Sequence, residues 1–210
     1  MEQQFWQEKW EANETGFHQD TTHPLLEKYY PKLDLEKGTR VFVPLCGKSI
    51  DMIYLMRQGC KVIGLELSEV AVQSFFIEND IEVSIASAGE YKHFQSSDIQ
   101  IWCGDFFSMS GELMGGFSTV YDRASLIALP PEMRLQYVDK MKRLSSCGIE
   151  ILLIALEYEH GLVNPPPFAV VQDEVENLYG SWCDIELLEK APATVKGKPC
   201  YELVYRLRVL

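Results

Sequence analysis

Arg40-Val41-Phe42-Val43-Pro44-Leu45-Cys46-Gly47-Lys48-Ser49 decides how the rest of the chain is read. Its first half is a short apolar run rich in β-branched residues, and its second half is a turn built around one glycine. Runs of the same kind recur at Lys61-Val62-Ile63-Gly64-Leu65, Ile99-Gln100-Ile101-Trp102, Ser118-Thr119-Val120-Tyr121 and Glu150-Ile151-Leu152-Leu153-Ile154. Near-continuous apolar runs of this length suit strands covered on both faces. Between them lie helical stripes. Val72, Phe75, Phe76 and Asn79 follow a Ser68 cap, and Met133, Tyr137, Met141 and Leu144 follow Pro130-Pro131 and stop before Gly148. The alternation predicts an α/β fold with a doubly wound, mostly parallel sheet. Asp184–Leu188 and Tyr201–Leu207, with a loop from Pro192 to Pro199 between them, predict an antiparallel strand pair at the sheet edge. One domain over 1–210 is expected, with 1–39 as a helical extension.

In such a sheet ligands bind beyond the carboxyl ends of the strands, which directs attention to the turns. Gly47-Lys48-Ser49 resembles the end of a phosphate-binding loop, but that loop needs a glycine where Phe42 stands inside a strand. A dinucleotide fingerprint needs three glycines, and only Gly47 is present. Glu66 ends the second strand nineteen residues after Gly47, where an acid accepts ribose hydroxyls. A ribose carboxylate without a pyrophosphate loop suits an adenosine that carries no phosphate; a solvated acid opening the next helix is the competing reading. Cys103-Gly104-Asp105 offers a glycine against which a base can lie. Tyr121-Asp122-Arg123 puts two charges at a strand end, either for function or as a structural ion pair.

Composition narrows the partners. The 210 residues carry a formal charge of −12 with no basic stripe, which disfavours a nucleic acid and favours a small molecule. No apolar run is long enough for a membrane helix, and the N-terminus lacks the pattern of a signal peptide, so a cytoplasmic protein is expected. The six cysteines lie far apart with no C-x-x-C pair, so buried reduced thiols are expected and no metal site. His18, His23, His93 and His160 have no triad-like setting.

Phe5-Trp6-Gln7-Glu8-Lys9-Trp10, Gly16-Phe17-His18, Val43-Pro44-Leu45-Cys46-Gly47-Lys48, Gly64-Leu65-Glu66-Leu67-Ser68, Tyr121-Asp122-Arg123 and Pro165-Pro166-Pro167-Phe168 resemble the thiopurine S-methyltransferase family, its bacterial members in particular. The resemblance spans nearly the whole chain. It implies a Rossmann-like methyltransferase fold with an N-terminal helical lid, the donor S-adenosyl-L-methionine (SAM), and a thiol or other chalcogen acceptor. Carried over by position, it implies that Trp10, Leu45, Glu66 and Arg123 bind SAM, joined by Trp6, Gly104 and Asp105. Phe17 and Phe168 would line the acceptor pocket. Vertebrate members place an arginine near the acceptor, whereas this chain offers Lys190, Lys196 and Lys198 there, and the two cations hold a planar anion differently. An aromatic thiol is substantially ionised near neutral pH, so no general base is expected, and Arg123 is expected to orient rather than to move a proton. A monomer is expected. Methylation of selenium or tellurium compounds, a non-catalytic SAM-binding module and an NAD-dependent oxidoreductase are the rival readings, the last lacking its glycine fingerprint.

Overall fold

The unbroken apolar run Val41–Val43 is buried as the middle of strand β1 (Arg40–Pro44). The structure is a computed structural model that describes residues 3–12, 14 and 18–210, without the side chain of Gln3. The chain divides into two units, Met1–Phe117 and Ser118–Leu210.

In the first unit, helix α1 (Gln3–Glu11) and the short α2 (Pro24–Tyr29) precede β1. His23 caps α2, its Nδ1 accepting from Leu25 N, while its own backbone N–H reaches Asp51. After β1 come α3 (Asp51–Arg57), β2 (Lys61–Glu66) and α4 (Glu69–Glu78). Ser68 caps α4 by accepting from Ala71 N, as its sequence position suggests, and Val72, Phe75 and Phe76 turn inward. Two strands follow that the sequence does not announce, β3 (Ser84–Ala88) and β4 (Tyr91–Gln95). They form a hairpin around Gly89-Glu90, with Gly89 at φ +63° supplying the backbone a tight turn needs. Strand β5 (Ile99–Cys103) and helix α5 (Gly111–Met114) complete the unit. Its strand order is β3-β4-β5-β2-β1, parallel for β1, β2 and β5 and antiparallel for the hairpin.

The second unit holds β6 (Thr119–Arg123), α6 (Pro131–Leu144), β7 (Glu150–Glu157), α7 (Gln172–Tyr179), β8 (Cys183–Val195) and β9 (Lys198–Val209). Its order is β6-β7-β9-β8, with β6 and β7 parallel and the other pairs antiparallel. The expected antiparallel pair is therefore present, but the loop from Pro192 to Pro199 is not. Both strands run on until only Lys196-Gly197 separates them, at φ +47° and +73°. Pro192 is accommodated because β8 lies at the edge, where a missing N–H need not break a ladder. The buried stripe of α6 also differs from the expected one: Arg134, Tyr137, Val138 and Met141 are buried, while Met133 and Leu144 are only half-buried. A charged residue stands where the periodicity of apolar residues had no way to place it.

Five of the six cysteines are buried and Cys147 is exposed, all of them free thiols. Burial pushes the Cys103 and Cys183 thiols up to about 12, which keeps them protonated and unreactive. Among the described residues no helix is long and apolar enough to cross a membrane, and no cluster of potential metal ligands is found.

The Lys196-Gly197 turn isolates a backbone effect. A Cβ on Gly197 would meet no atom within 4 Å, so Gly197→Ala costs only the strain of a left-handed residue. We expect a loss of about 1–2 kcal/mol in urea unfolding, with no change in the slope of the transition.

Candidate active site

Parallel pairing sets Pro44 beside Leu65 and Glu66 beside Cys103, so the turns after β1, β2 and β5 meet at one end of the first unit. Glu66 is their hub. Its side chain is buried, with 6% of the residue exposed. Oε2 accepts from Gly47 N at 2.8 Å and Oε1 from Ser68 N at 2.8 Å, while its carbonyl accepts from Gly104 N at 2.9 Å. Burial pushes the carboxyl up from its ordinary value, and the backbone N–H groups of Ser68, Gly47 and Leu67 pull it back. A carboxylate has about four acceptor positions, and these backbone donors do not take all of them.

The turn that Glu66 grips is shaped for close approach. Leu45 adopts φ +45° and Gly47 φ +52°, the former a conformation uncommon for a residue with a side chain. Trp10 lies on Gly47: a Cβ there would stand 2.9 Å from the indole Cζ2. Cys46 similarly fills the space beside Gly64, whose added Cβ would meet its Sγ at 2.8 Å. Trp10 is buried, and Trp6, one helical turn earlier, is half-buried with its ring edge-on to Phe5 at 5.2 Å.

Gly104 has a local reason to be glycine. A Cβ would stand 2.4 Å from the Tyr91 ring, which lies on it, and the Tyr91 hydroxyl donates to the Asp105 carbonyl at 2.8 Å. The Asp105 carboxylate is folded into its own turn, accepting from Phe107 N at 3.2 Å and Ser108 Oγ at 2.8 Å. Tyr91 belongs to the unannounced hairpin and so escapes sequence reasoning, although the pairing of Lys92 with Cys103 puts β4 directly beside this turn.

Trp10, Leu45, Glu66, Gly104 and Asp105 thus gather in the first unit. Arg123 and Phe168 belong to the second, and Phe17 lies outside the described residues. Arg123 is half-buried at the end of β6, next to Ala124 at φ +65°. Its neighbour Asp122 is buried and accepts from Tyr137 Oη at 2.7 Å. Successive strand residues point to opposite faces, so the two charges are not one ion pair along the strand. Phe168, half-buried, donates its backbone N–H to Ile127 O at 2.7 Å. Of the lysines expected on the acceptor side, Lys190 pairs with Glu157 at 2.6 Å and Lys196 donates to Asn164 O at 2.7 Å, while Lys198 is exposed. Two of these cations are already engaged within the protein.

With this geometry in place, comparison with known proteins is informative. The sequence model of the thiopurine S-methyltransferase family matches residues 1–200. The chain is 40% identical over 215 residues to the thiopurine S-methyltransferase of Pseudomonas putida (strain GB-1), covering 99% of this chain and 100% of that one. It is 44% identical over 191 residues to the thiopurine S-methyltransferase of Nitrosomonas eutropha (strain DSM 101675 / C91 / Nm57), covering 90% and 86%. Among solved structures, the Burkholderia thailandensis 1,6-didemethyltoxoflavin-N1-methyltransferase with bound S-adenosylhomocysteine superposes at TM-score 0.71 and 12% identity, over 99% of this chain and 86% of that one. Magnesium protoporphyrin IX methyltransferase from Synechocystis PCC 6803 with bound SAM gives TM-score 0.66 at 14% identity, over 98% and 96%. At these identities the superpositions establish the fold, that of a Rossmann-like SAM-dependent methyltransferase.

Asp122 makes stability depend on pH in a stated direction. Burial raises its carboxyl from 3.8 to about 6, opposed by hydrogen bonds from Tyr137, Ser125 and the Leu126 backbone. The folded state therefore binds more protons than the unfolded one between these values, and stability falls as pH rises from about 4 to about 6. The gap corresponds to roughly 3 kcal/mol for this fully buried group. Asp122→Asn is expected to lose that slope, checked by urea midpoints of both proteins across this range.

Proposed function

The chain belongs to the thiopurine S-methyltransferase family, and we propose that it transfers the methyl group of SAM to the sulfur of a thiopurine or another aromatic or heterocyclic thiol. That it is a SAM-dependent methyltransferase follows from the family and the fold. Sulfur as the acceptor atom is our reading.

Sulfur is supported by the family match, and SAM binding by the state of Glu66: a buried carboxylate, anchored on two backbone N–H groups, beside a turn with no phosphate cradle. The donor set fits an adenosine ribose, whose two hydroxyls would take the remaining acceptor positions. When bound, SAM supplies an electrophilic methyl group on a sulfonium. Trp10 and Trp6 would shield that charge from water, an indole face adding about 0.5–2 kcal/mol of attraction to a cation. Leu45 would cover the cofactor from the first turn. Gly104 and Asp105 would meet the adenine through the backbone, because the Asp105 side chain is spent on its own turn. Arg123 would orient the reacting groups, and Phe17 and Phe168 would hold the acceptor ring.

No side chain need move a proton. An aromatic thiolate is already the nucleophile, so alignment and exclusion of water are the tasks left to the protein. Opposite charges cancel when a thiolate meets a sulfonium, and a dry pocket favours that cancellation over separately hydrated ions.

Glu66→Gln keeps the volume but removes the charge and one backbone acceptor. SAM affinity should fall at least tenfold by calorimetry, since a hydrogen bond to a charged partner is worth about 1.5–3 kcal/mol. Unchanged affinity in the folded variant would remove Glu66 from the site. The acceptor is tested by supplying labelled SAM with 6-mercaptopurine, thiophenol, benzeneselenol, selenite and tellurite. Methylated thiols should dominate; label found only in selenium or tellurium products would transfer the activity to those compounds, and SAM binding without any product would reduce the protein to a binding module.

A further inference from the structure

Arg134 carries a positive charge to a place where charge is costly to bury. It lies in the first turns of α6, 1% exposed. Nε donates to Leu129 O at 2.8 Å, Nη1 donates to Glu174 Oε1 at 2.5 Å, and the guanidinium carbon stands 5.5 Å from the centre of the Phe168 ring. Burying the guanidinium costs desolvation that a contact with the 29% exposed Glu174 side chain only partly offsets, so stability alone is a poor account of this pair. Its geometric consequence is specific. The planar guanidinium is held in two directions, and its carbon stands over one aromatic ring. Lysine has neither the plane nor the fork.

The segment that carries this ring is pinned along its length by other contacts. Tyr158 Oη donates to Pro167 O at 2.6 Å, Lys196 Nζ to Asn164 O at 2.7 Å, and Val170 N to Leu156 O at 2.7 Å. Phe168 N is bonded to Ile127 O. All of these fix backbone; the contact with Arg134 acts on the Phe168 side chain. We infer that Arg134, locked by Glu174, is a positioning residue that sets the Phe168 ring and thereby the shape of planar acceptor the enzyme takes. The inference rests on the reading of Phe168 as an acceptor-side residue.

The test uses Phe168→Leu, Arg134→Met, Arg134→Lys and the double variant Phe168→Leu/Arg134→Met. For each, kcat and KM are measured with 6-mercaptopurine and thiophenol, SAM affinity by calorimetry, and stability by urea unfolding. Phe168→Leu should raise thiol KM at least tenfold with SAM affinity unchanged. Arg134→Met should raise it threefold to tenfold, more for the bicyclic purine than for thiophenol, with kcat and SAM affinity within twofold and the urea midpoint lowered, because Glu174 and Leu129 O lose their partner. Arg134→Lys should recover only part of the loss, and the double variant should be no worse than Phe168→Leu alone. Independent of turnover, the Phe168 ring signals, assigned through Phe168→Leu, should shift in the NMR spectrum of Arg134→Met. An elevated KM in Phe168→Leu with none in Arg134→Met, unmoved ring signals, or effects that multiply in the double variant would overturn the positioning role. A normal KM in Phe168→Leu would instead overturn the acceptor-side reading of Phe168, and the inference with it.

Discussion

The two hydrogen bonds from Gly47 N and Ser68 N to the Glu66 carboxylate are the constraint on which the first unit turns. A carboxylate this deeply buried cannot stay charged on its own. The backbone donors that stabilise it also tie the turn after β1 to the start of α4, so the charge and the loop geometry are one arrangement. Trp10 then rests on Gly47, and Gly104 bonds the carbonyl of the same glutamate. Removing the side chain would leave buried N–H groups without partners in two turns at once.

The second unit repeats the device with different parts. Asp122 is a strand-ending acid, buried and held by the Tyr137 hydroxyl, and its neighbour Ala124 has the same left-handed backbone that Leu45 shows after β1. In both turns a buried acid lies next to left-handed backbone. The difference lies in the donors. Glu66 is held by backbone N–H groups, whereas Asp122 faces a fully buried tyrosine and has the character of an internal support.

Polar groups that the apolar pattern ignores do much of the organising. Arg134 lies on the buried face of α6, Tyr91 covers Gly104 from a hairpin of mostly exposed residues, and His23 both caps α2 and reaches Asp51. Each connects elements distant in sequence, and each satisfies a backbone or charged partner that would be costly to bury alone.

The α/β class was legible in the sequence, because strand-length apolar runs and capped helical stripes have different periods and alternate from Arg40 to Ile154. The cofactor was legible only through the family resemblance: the lone glycine after β1 and the acid after β2 suggested an adenosine without phosphate but left a solvated Glu66 as a competing reading. The β3–β4 hairpin was illegible because all but the last residue of β3 is exposed and shows no alternation to read. The length of β8 and β9 was hidden by Pro192 and Pro199, which read as a loop until the edge position of β8 made a proline tolerable. Tertiary structure alone decided which oxygens of Glu66 are already spoken for, that Lys190 and Lys196 are engaged, and that a buried arginine faces Phe168. The physical reason is common to all three: periodicity reports where apolar surface must go, whereas the partner of a polar group is fixed only when distant segments are brought within hydrogen-bonding reach.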